Sequence, residues 1–463
     1  MGARRSPIIR ELDVPPEVLR RLARRFPARY PVLFDSAADG PLSSTSILVA
    51  EPGACLWLDR NGRLGSAGVA PTATSFLAAL ENWWLEERTP QTAPPLPFAG
   101  GWALFLSYEI AQEVEPRLRL PRAALPWQAF ALRTPCALIH ERMSGRVFIV
   151  AEPDAAHRID GIEADARRTA AEAEAPQESV SVELIEEEES TAYIRRVVRA
   201  KEYVRAGDIY QANLSRPWSA RLSRDPDVPA LYNRLRQTNP APFAALAQWG
   251  GVAILSSSPE RLVRVRGSHI DTRPIAGTRP RSRRPGGDLA EMTELAAHPK
   301  ERAEHIMLID LERNDLGRVC AAGTVRVDEL MSIESYAHVH HIVSNVSGEL
   351  RPEVTPITAL RAVFPGGTIT GCPKFRCMQI IAELEGAGRG AYTGSLGFLG
   401  RDGTMDMNIL IRTMTVIGRR VELRAGGGIV ADSDPQRELE ETRAKARGML
   451  AALDIPQASG ASE

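Results

Sequence analysis

Tyr193-Ile194-Arg195-Arg196-Val197-Val198-Arg199-Ala200-Lys201-Glu202-Tyr203-Val204-Arg205-Ala206-Gly207 reads as an amphipathic helix stopped by glycine. From it onward, strands, helices and glycine turns alternate to about residue 454. That texture predicts an α+β fold with much mixed sheet, its chemistry concentrated after residue 200. Upstream, the first 150 residues read as short β-like runs, among them Tyr30–Phe34, Ile47–Val49 and Arg146–Val150, with a Pro-rich break at Thr89–Pro97. Residues 151–190 turn polar and acidic and end in Glu186–Glu189, the pattern of a solvated connector or surface helix. The small polar tail 456–463 is expected to fray.

The chain has 463 residues, 44% apolar and 25% charged, with 57 basic against 58 acidic side chains. Such a balance excludes a generic polyanion binder. The longest apolar run, around Gly100–Tyr108, is roughly half of the about 20 residues a spanning helix needs. Met1–Val14 carries arginines but no apolar core, so no secretory signal is read. Five cysteines without a C-x-x-C pair predict neither disulfides nor structural zinc, which fits the cytoplasm. Only Lys201, Lys300, Lys374 and Lys445 are lysines, so a covalent amine has four candidates.

Asp434-Pro435 is a helix start, an N-cap followed by proline at the first helical position, and it sets Glu438 and Glu441 on one face. His298-Pro299 opens a second helix with Glu301 and Glu304 at the same spacing. Each pair is either a solvated helix face or half of an oxygen-donor site for Mg2+. Three glycine segments could bring backbone amides to an anion or be plain turns: Pro274–Thr278, Phe364–Gly371 and Ala425–Val430. None is a P-loop or a dinucleotide fingerprint. Arg412 interrupts the strand-like run Asn408–Thr413, where a charge calls for an anionic partner. His338 and His340 would face one side of a strand and His341 the other, more readily an acid/base or positioning histidine than a zinc site.

Together, Ala206–Gln211, Ser256–Glu260, Pro274–Thr278, Asp310–Gly317, His341–Ser344, Gly371–Lys374 and Asp432–Gln436 resemble the chorismate-utilising enzymes. That group holds component I of anthranilate synthase and of aminodeoxychorismate synthase. The resemblance is closest over residues 190–450 and weaker at Leu33–Ser36 and Phe98–Gly101. It implies one large α/β unit of two facing, mainly antiparallel sheets flanked by helices. It also implies Mg2+ on Glu304 and Glu441, supported by Glu301 and Glu438, holding the ring carboxylate of chorismate. Thr278, Thr368, Tyr392, Arg412 and the amides of Gly426, Gly427 and Gly428 would contact the substrate. Glu260 would protonate the departing C4 hydroxyl, and His341 aligns with the active-site histidine.

Water-adding relatives carry a lysine base where this chain has Gln211, so an amine nucleophile is expected, from a glutamine amidotransferase subunit. The covalent lysine of the better-known aminodeoxychorismate synthases is replaced by Ala276, as in anthranilate synthases, leaving Lys374 as a substitute or a structural residue. Tyr210–Leu214, Asn239–Phe243 and Ile369–Pro373 look more like aminodeoxychorismate synthases. The expected product is 4-amino-4-deoxychorismate, toward para-aminobenzoate and folate, with anthranilate plus pyruvate as the alternative. A non-catalytic chorismate-binding subunit is the alternative of another class. The family also has a tryptophan pocket near Leu33–Ser36.

Overall fold

Alternation within single strands divides the interior into layers. In Gly101–Leu106, Trp102, Leu104 and Leu106 pack to one side, and Ala103 and Phe105 to the other. Cys136–Glu141 does the same with Leu138 against Ala137 and Ile139. This is the period-two geometry of extended backbone buried on both faces. The computed structural model describes residues 6–38, 40, 42–90, 96–173, 180–281, 287–335 and 339–455.

A twelve-stranded sheet begins with Ile8–Leu12, Arg146–Ala151, Cys136–Glu141, Thr45–Ala50 and Val32–Asp35. It continues through Phe243–Trp249, Val252–Ser258, Thr413–Ile417, Arg420–Ile429, Gln211–Leu222 and Val182–Glu187, with Gly371–Cys372 also on Gln211–Leu222. An eleven-stranded sheet runs Ile275–Pro280, Val339–Glu349, His269–Arg273, Arg261–Arg266, Met405–Asn408, Ser395–Gly400, Gly101–Leu106, Trp127–Thr134, Cys55–Asp59, Leu64–Ala67, with Arg326–Ser335 on Val339–Glu349. The sheets face each other across Val32, Ile47 and Ile254 from one and Phe105, Phe130 and Phe398 from the other. Helices Phe76–Glu87 and Pro356–Val363 cover the outer face of the smaller sheet. Val18–Arg25, Ile159–Ala171, Val228–Thr238 and Pro435–Ala452 cover that of the larger.

The fold is therefore α+β with two facing antiparallel sheets flanked by helices, and the expectation of mixed sheet is corrected. Every strand pairing among the described residues is antiparallel, because neighbours such as Phe243–Trp249 and Val252–Ser258 are joined by tight hairpins rather than crossover helices. The helix at residue 193 runs Ser190–Arg205. Within the acidic segment 151–190 the structure holds a helix, Ile159–Ala171, and the edge strand Val182–Glu187. Its glutamates meet arginines: Glu187 pairs with Arg216 at 2.6 Å and Arg443 at 2.7 Å. No helix among the described residues is long and apolar enough to cross a membrane. The tail 456–463 lies outside the described residues.

Ser395–Gly400 lies between two strands so closely that a β-carbon on Gly397 would sit 2.1 Å from the carbonyl oxygen of Asp406. Since that neighbour is backbone, Gly397→Ala is expected to destabilise the chain by on the order of 1–3 kcal/mol. Urea denaturation reads this as a lower midpoint, and an unchanged midpoint would contradict the close approach.

Candidate active site

The chain passes directly between the two sheets at two adjacent places. It leaves the larger sheet at Ser258 and joins the smaller at Arg261, so Glu260 sits in the crossing. It returns from Asn408 to Thr413, with Arg412 in that crossing. Backbone bonds lock the two together: Ile409 N–H donates to Glu260 O at 3.0 Å, and Ser257 N–H to Arg412 O at 3.1 Å. The strand expected over Asn408–Thr413 is thus broken, and half-buried Arg412 has left-handed backbone, φ 52°. Within the apolar run Ile409–Ile411, Leu410 enters the cluster between the sheets, and Ile409 and Ile411 join the core under the smaller sheet's helices.

Glu260 is buried. Burial pushes its carboxyl up to about 8, against the opposing pull of the Thr368 hydroxyl, the Ile275 N–H at 3.4 Å and, more distantly, Arg412. It therefore carries a proton at neutral pH. Thr368 is brought to it by the Phe364–Gly371 segment, whose glycines are needed for space. A β-carbon would lie 2.7 Å from Ile409 Cδ1 at Gly366 and 2.6 Å from Leu311 Cδ2 at Gly367. Buried Glu312 accepts from Gly367 N–H at 3.4 Å, and burial raises its carboxyl too.

Gly426, Gly427 and Gly428 lie inside the strand Arg420–Ile429, not in a turn, opposite Ser215, Leu214 and Asn213. Thr413–Ile417 pairs with this strand only as far as Leu423, so past that residue one edge has no strand partner among the described residues. Alternate amides in an antiparallel strand point to that edge. Gln211 packs against Gly428, its Nε2 2.3 Å from where a β-carbon would be. At Gly427 the same construction meets Glu438 Oε2 at 3.3 Å, Glu441 Oε1 at 3.6 Å and Lys445 Nζ at 3.7 Å. The helix Pro435–Ala452 is aimed there by its cap, Asp434 accepting from Gln436 N–H at 3.1 Å and Arg437 N–H at 2.9 Å. Lys445 bonds Glu441 at 2.7 Å and Gly426 O at 3.0 Å.

His341 lies against the Pro274–Thr278 segment. Its Nδ1 lies 3.3 Å from Gly277 O, and Glu301 Oε2 would meet a β-carbon on Gly277 at 3.0 Å. Burial lowers its pKa to about 3, helped by Arg412 and Lys445. His341 is thus neutral across the working range. His340 turns the opposite way, to Ser335 Oγ at 2.7 Å and Asp288 at 3.4 Å, while His338 lies outside the described residues. Glu304, half-buried, is one turn along from Glu301 on the helix Pro299–Gly317. Among the described residues no group of three or more His, Cys, Asp or Glu side chains is gathered to hold a metal ion.

Ala276 stands opposite Ile342, and the Thr278 side chain lies outside the described residues. Tyr392 is buried, its hydroxyl pushed up to about 12 by desolvation. Lys374 is held by Asp315 and, at 3.1 Å, Val363 O. It lines a separate 680 Å³ cleft with Tyr210, Ile306 and Cys372, which contains none of Glu260, Thr368, His341 or Arg412. Sequence reasoning missed Lys445 as a site residue, although its spacing after Glu438 and Glu441 puts all three on one helix face. It also missed Arg389, which joins Glu385 and Thr393, four residues either way, to the distant Asn213 and Ile369.

The family described as chorismate binding enzyme matches residues 52–451, and the chain belongs to it. Anthranilate synthase component 1 of Streptomyces coelicolor is 41% identical, over 84% of this chain and 79% of the relative. Aminodeoxychorismate synthase component 1 of Bacillus subtilis is 37% identical, over 86% of this chain and 91% of the relative. Among solved structures, anthranilate synthase component I from Streptococcus pneumoniae superposes with a TM-score of 0.77 at 30% identity, covering 89% of this chain and 93% of that one.

A carboxyl raised to about 8 delivers its proton below that pH and loses it above. Chorismate turnover should therefore decline as pH rises through about 8, with no rising limb near 6.5 from neutral His341. Glu260→Gln should lower kcat by on the order of 10²- to 10⁴-fold. A rate profile flat to pH 9.5 would remove Glu260 from the acid role.

Proposed function

We propose that this chain aminates chorismate to 4-amino-4-deoxychorismate, for para-aminobenzoate and folate synthesis. The observation that carries the reading is the buried, protonated Glu260 against Thr368 and Ile275, with Arg412 in the neighbouring crossing. Hydroxide leaves poorly, and an acid held protonated to about pH 8 lets it depart as water. Arg412, Tyr392 and the open edge at Gly426–Gly428 suit the substrate's carboxylates. Gln211, a neutral amide, cannot deprotonate water, which favours ammonia as the nucleophile. A glutamine amidotransferase subunit would supply it. Tyr210–Leu214, Asn239–Phe243 and Ile369–Pro373 favour this product over anthranilate.

A second reading, anthranilate plus pyruvate, is favoured by Ala276 and by the name of the 41% identical relative. Incubation with chorismate, Mg2+ and ammonium separates the two by product. Retention of the enolpyruvyl group supports the first and free pyruvate the second, while no turnover discards both. Ala276→Lys should trap a covalent adduct visible in the intact mass if the pocket presents a ring carbon to residue 276. Its absence would mean the ring is turned away.

Glu438 and Glu441 beside Gly427 and Glu301 beside Gly277 are the oxygen donors that Mg2+ takes from protein, one or two at a time, with water and substrate completing its shell, and Lys445, 2.7 Å from Glu441, would have to give way to the ion. Glu441 and Glu304 would hold the ion, with Glu438 and Glu301 in support. When bound, it supplies charge to the ring carboxylate. Glu441→Gln should weaken Mg2+ binding by calorimetry and raise the Mg2+ needed for turnover, and unchanged affinity would contradict the assignment. The Leu33–Ser36 segment borders a cavity of 140 Å³ as a candidate tryptophan pocket. Its Asp35 already accepts from Ser46 at 2.8 Å, Tyr232 at 3.2 Å and Arg236 at 2.9 Å, which leaves an amino group less to bind.

A further inference from the structure

Behind Tyr392 lies a buried arginine that the reading above does not use. All five N–H donors of the Arg389 guanidinium have acceptors. Nε and Nη2 donate to Glu385 at 3.0 and 2.6 Å, and Nη2 also to Asn213 O at 2.6 Å. Nη1 donates to Ile369 O at 3.1 Å and Thr393 Oγ1 at 3.3 Å. The guanidinium lies 4.9 Å from the Tyr108 ring centroid and 5.6 Å from that of Tyr392.

Each acceptor belongs to a segment that borders the candidate site. Asn213 pairs with Gly428 and follows Gln211 by two residues, Ile369 follows Thr368, and Thr393 follows Tyr392. Glu385 ties the same knot to the glycine strand, accepting from Ser215 N–H at 2.8 Å, Ser215 Oγ at 2.9 Å and Arg424 at 3.0 Å. Burial alone would raise the Glu385 carboxyl, but Arg389 and Arg424 overcome it and hold it at about 2.

We propose that Arg389 is a positioning residue: its guanidinium holds Tyr392, the Thr368 loop and the Gln211 strand in one register for an anionic substrate. Only arginine has a planar fork of five donors, and lysine's three cannot reach the same set. Two guanidiniums share the Glu385 carboxylate, and buried Glu109 accepts from the Arg389 and Gly390 N–H groups at 2.7 and 3.2 Å, so side chain and backbone of residue 389 are both fixed. The proposal rests on the chorismate reading, but the register itself does not.

The test uses the full chain as Arg389→Lys and Arg389→Met. In hydrogen exchange without substrate, both should exchange faster at residues 366–371 and 391–394 and stay unchanged in the distant hairpin Cys136–Ala151. With chorismate, R389K should raise KM about tenfold while kcat changes about threefold or less, and R389M should raise KM further. A lowered melting temperature with unchanged KM and local exchange would make Arg389 merely structural and overturn the proposal. If wild-type enzyme does not consume chorismate, the substrate reading falls while the exchange arm still decides the register. Should R389K not fold, Thr393→Val removes one acceptor, and a smaller KM rise is expected. An unchanged KM in that variant overturns the proposal.

Discussion

A carboxyl group keeps its proton at neutral pH only where water is excluded and no cation binds it directly. Two adjacent crossings between facing sheets meet that condition. Glu260 occupies one and Arg412 the other, and the backbone bonds between the crossings fix their separation. Because both crossings emerge between sheets packed face to face, the acid is buried by the fold as a whole rather than by a lid. The glycines at residues 366 and 367 are crowded by the same packing, a β-carbon there pressing on the side-chain ends of Ile409 and Leu311, which would have to shift.

The opposite wall is built by the absence of side chains. Gly426–Gly428 leave a strand edge open, and the start of the helix Pro435–Ala452 brings Glu438, Glu441 and Lys445 against it. Charge is thus sorted by place: the neutral acid lies at a crossing and the neutral histidine on the strand Val339–Glu349, while carboxylates and a lysine gather at the glycine edge. Buried ion pairs add little net stability, so the fully satisfied Arg389–Glu385 cluster behind Tyr392 is better understood as fixing geometry.

Local chemistry was legible in the sequence. The start of the helix Pro435–Ala452 follows from cap and proline preferences that need no distant partner, and the structure places it at Asp434. The motif order over residues 190–450 indicated the family and its facing sheets. Features set by distant contacts were hidden. Gly426–Gly428 look like a turn, because nothing local reveals that Leu214 O would lie 2.3 Å from a β-carbon at Gly426. Asn408–Thr413 looks like a strand because its apolar run fits one equally well. For Lys374 the sequence leaves a structural residue or a substitute amine open, and Asp315, 59 residues away, holds it. For Arg389 the spacing to Glu385 and Thr393, four residues either way, was legible, but the acceptors Asn213 O and Ile369 O come from distant segments.

The lysines bear on where nitrogen enters. Lys374 is held by Asp315 and Val363 O, Lys445 by Glu441 and Gly426 O, and Lys201 by Ser433 O, while the Lys300 side chain lies outside the described residues. A nucleophilic amine must be unencumbered, whereas each of these three donates hydrogen bonds. With alanine at 276, chemistry through any of these three amines would first have to break its contacts. Nitrogen supplied from outside breaks none of these contacts: under the proposed reading ammonia needs only access to the ring and an acid for the departing hydroxyl, the role proposed for Glu260.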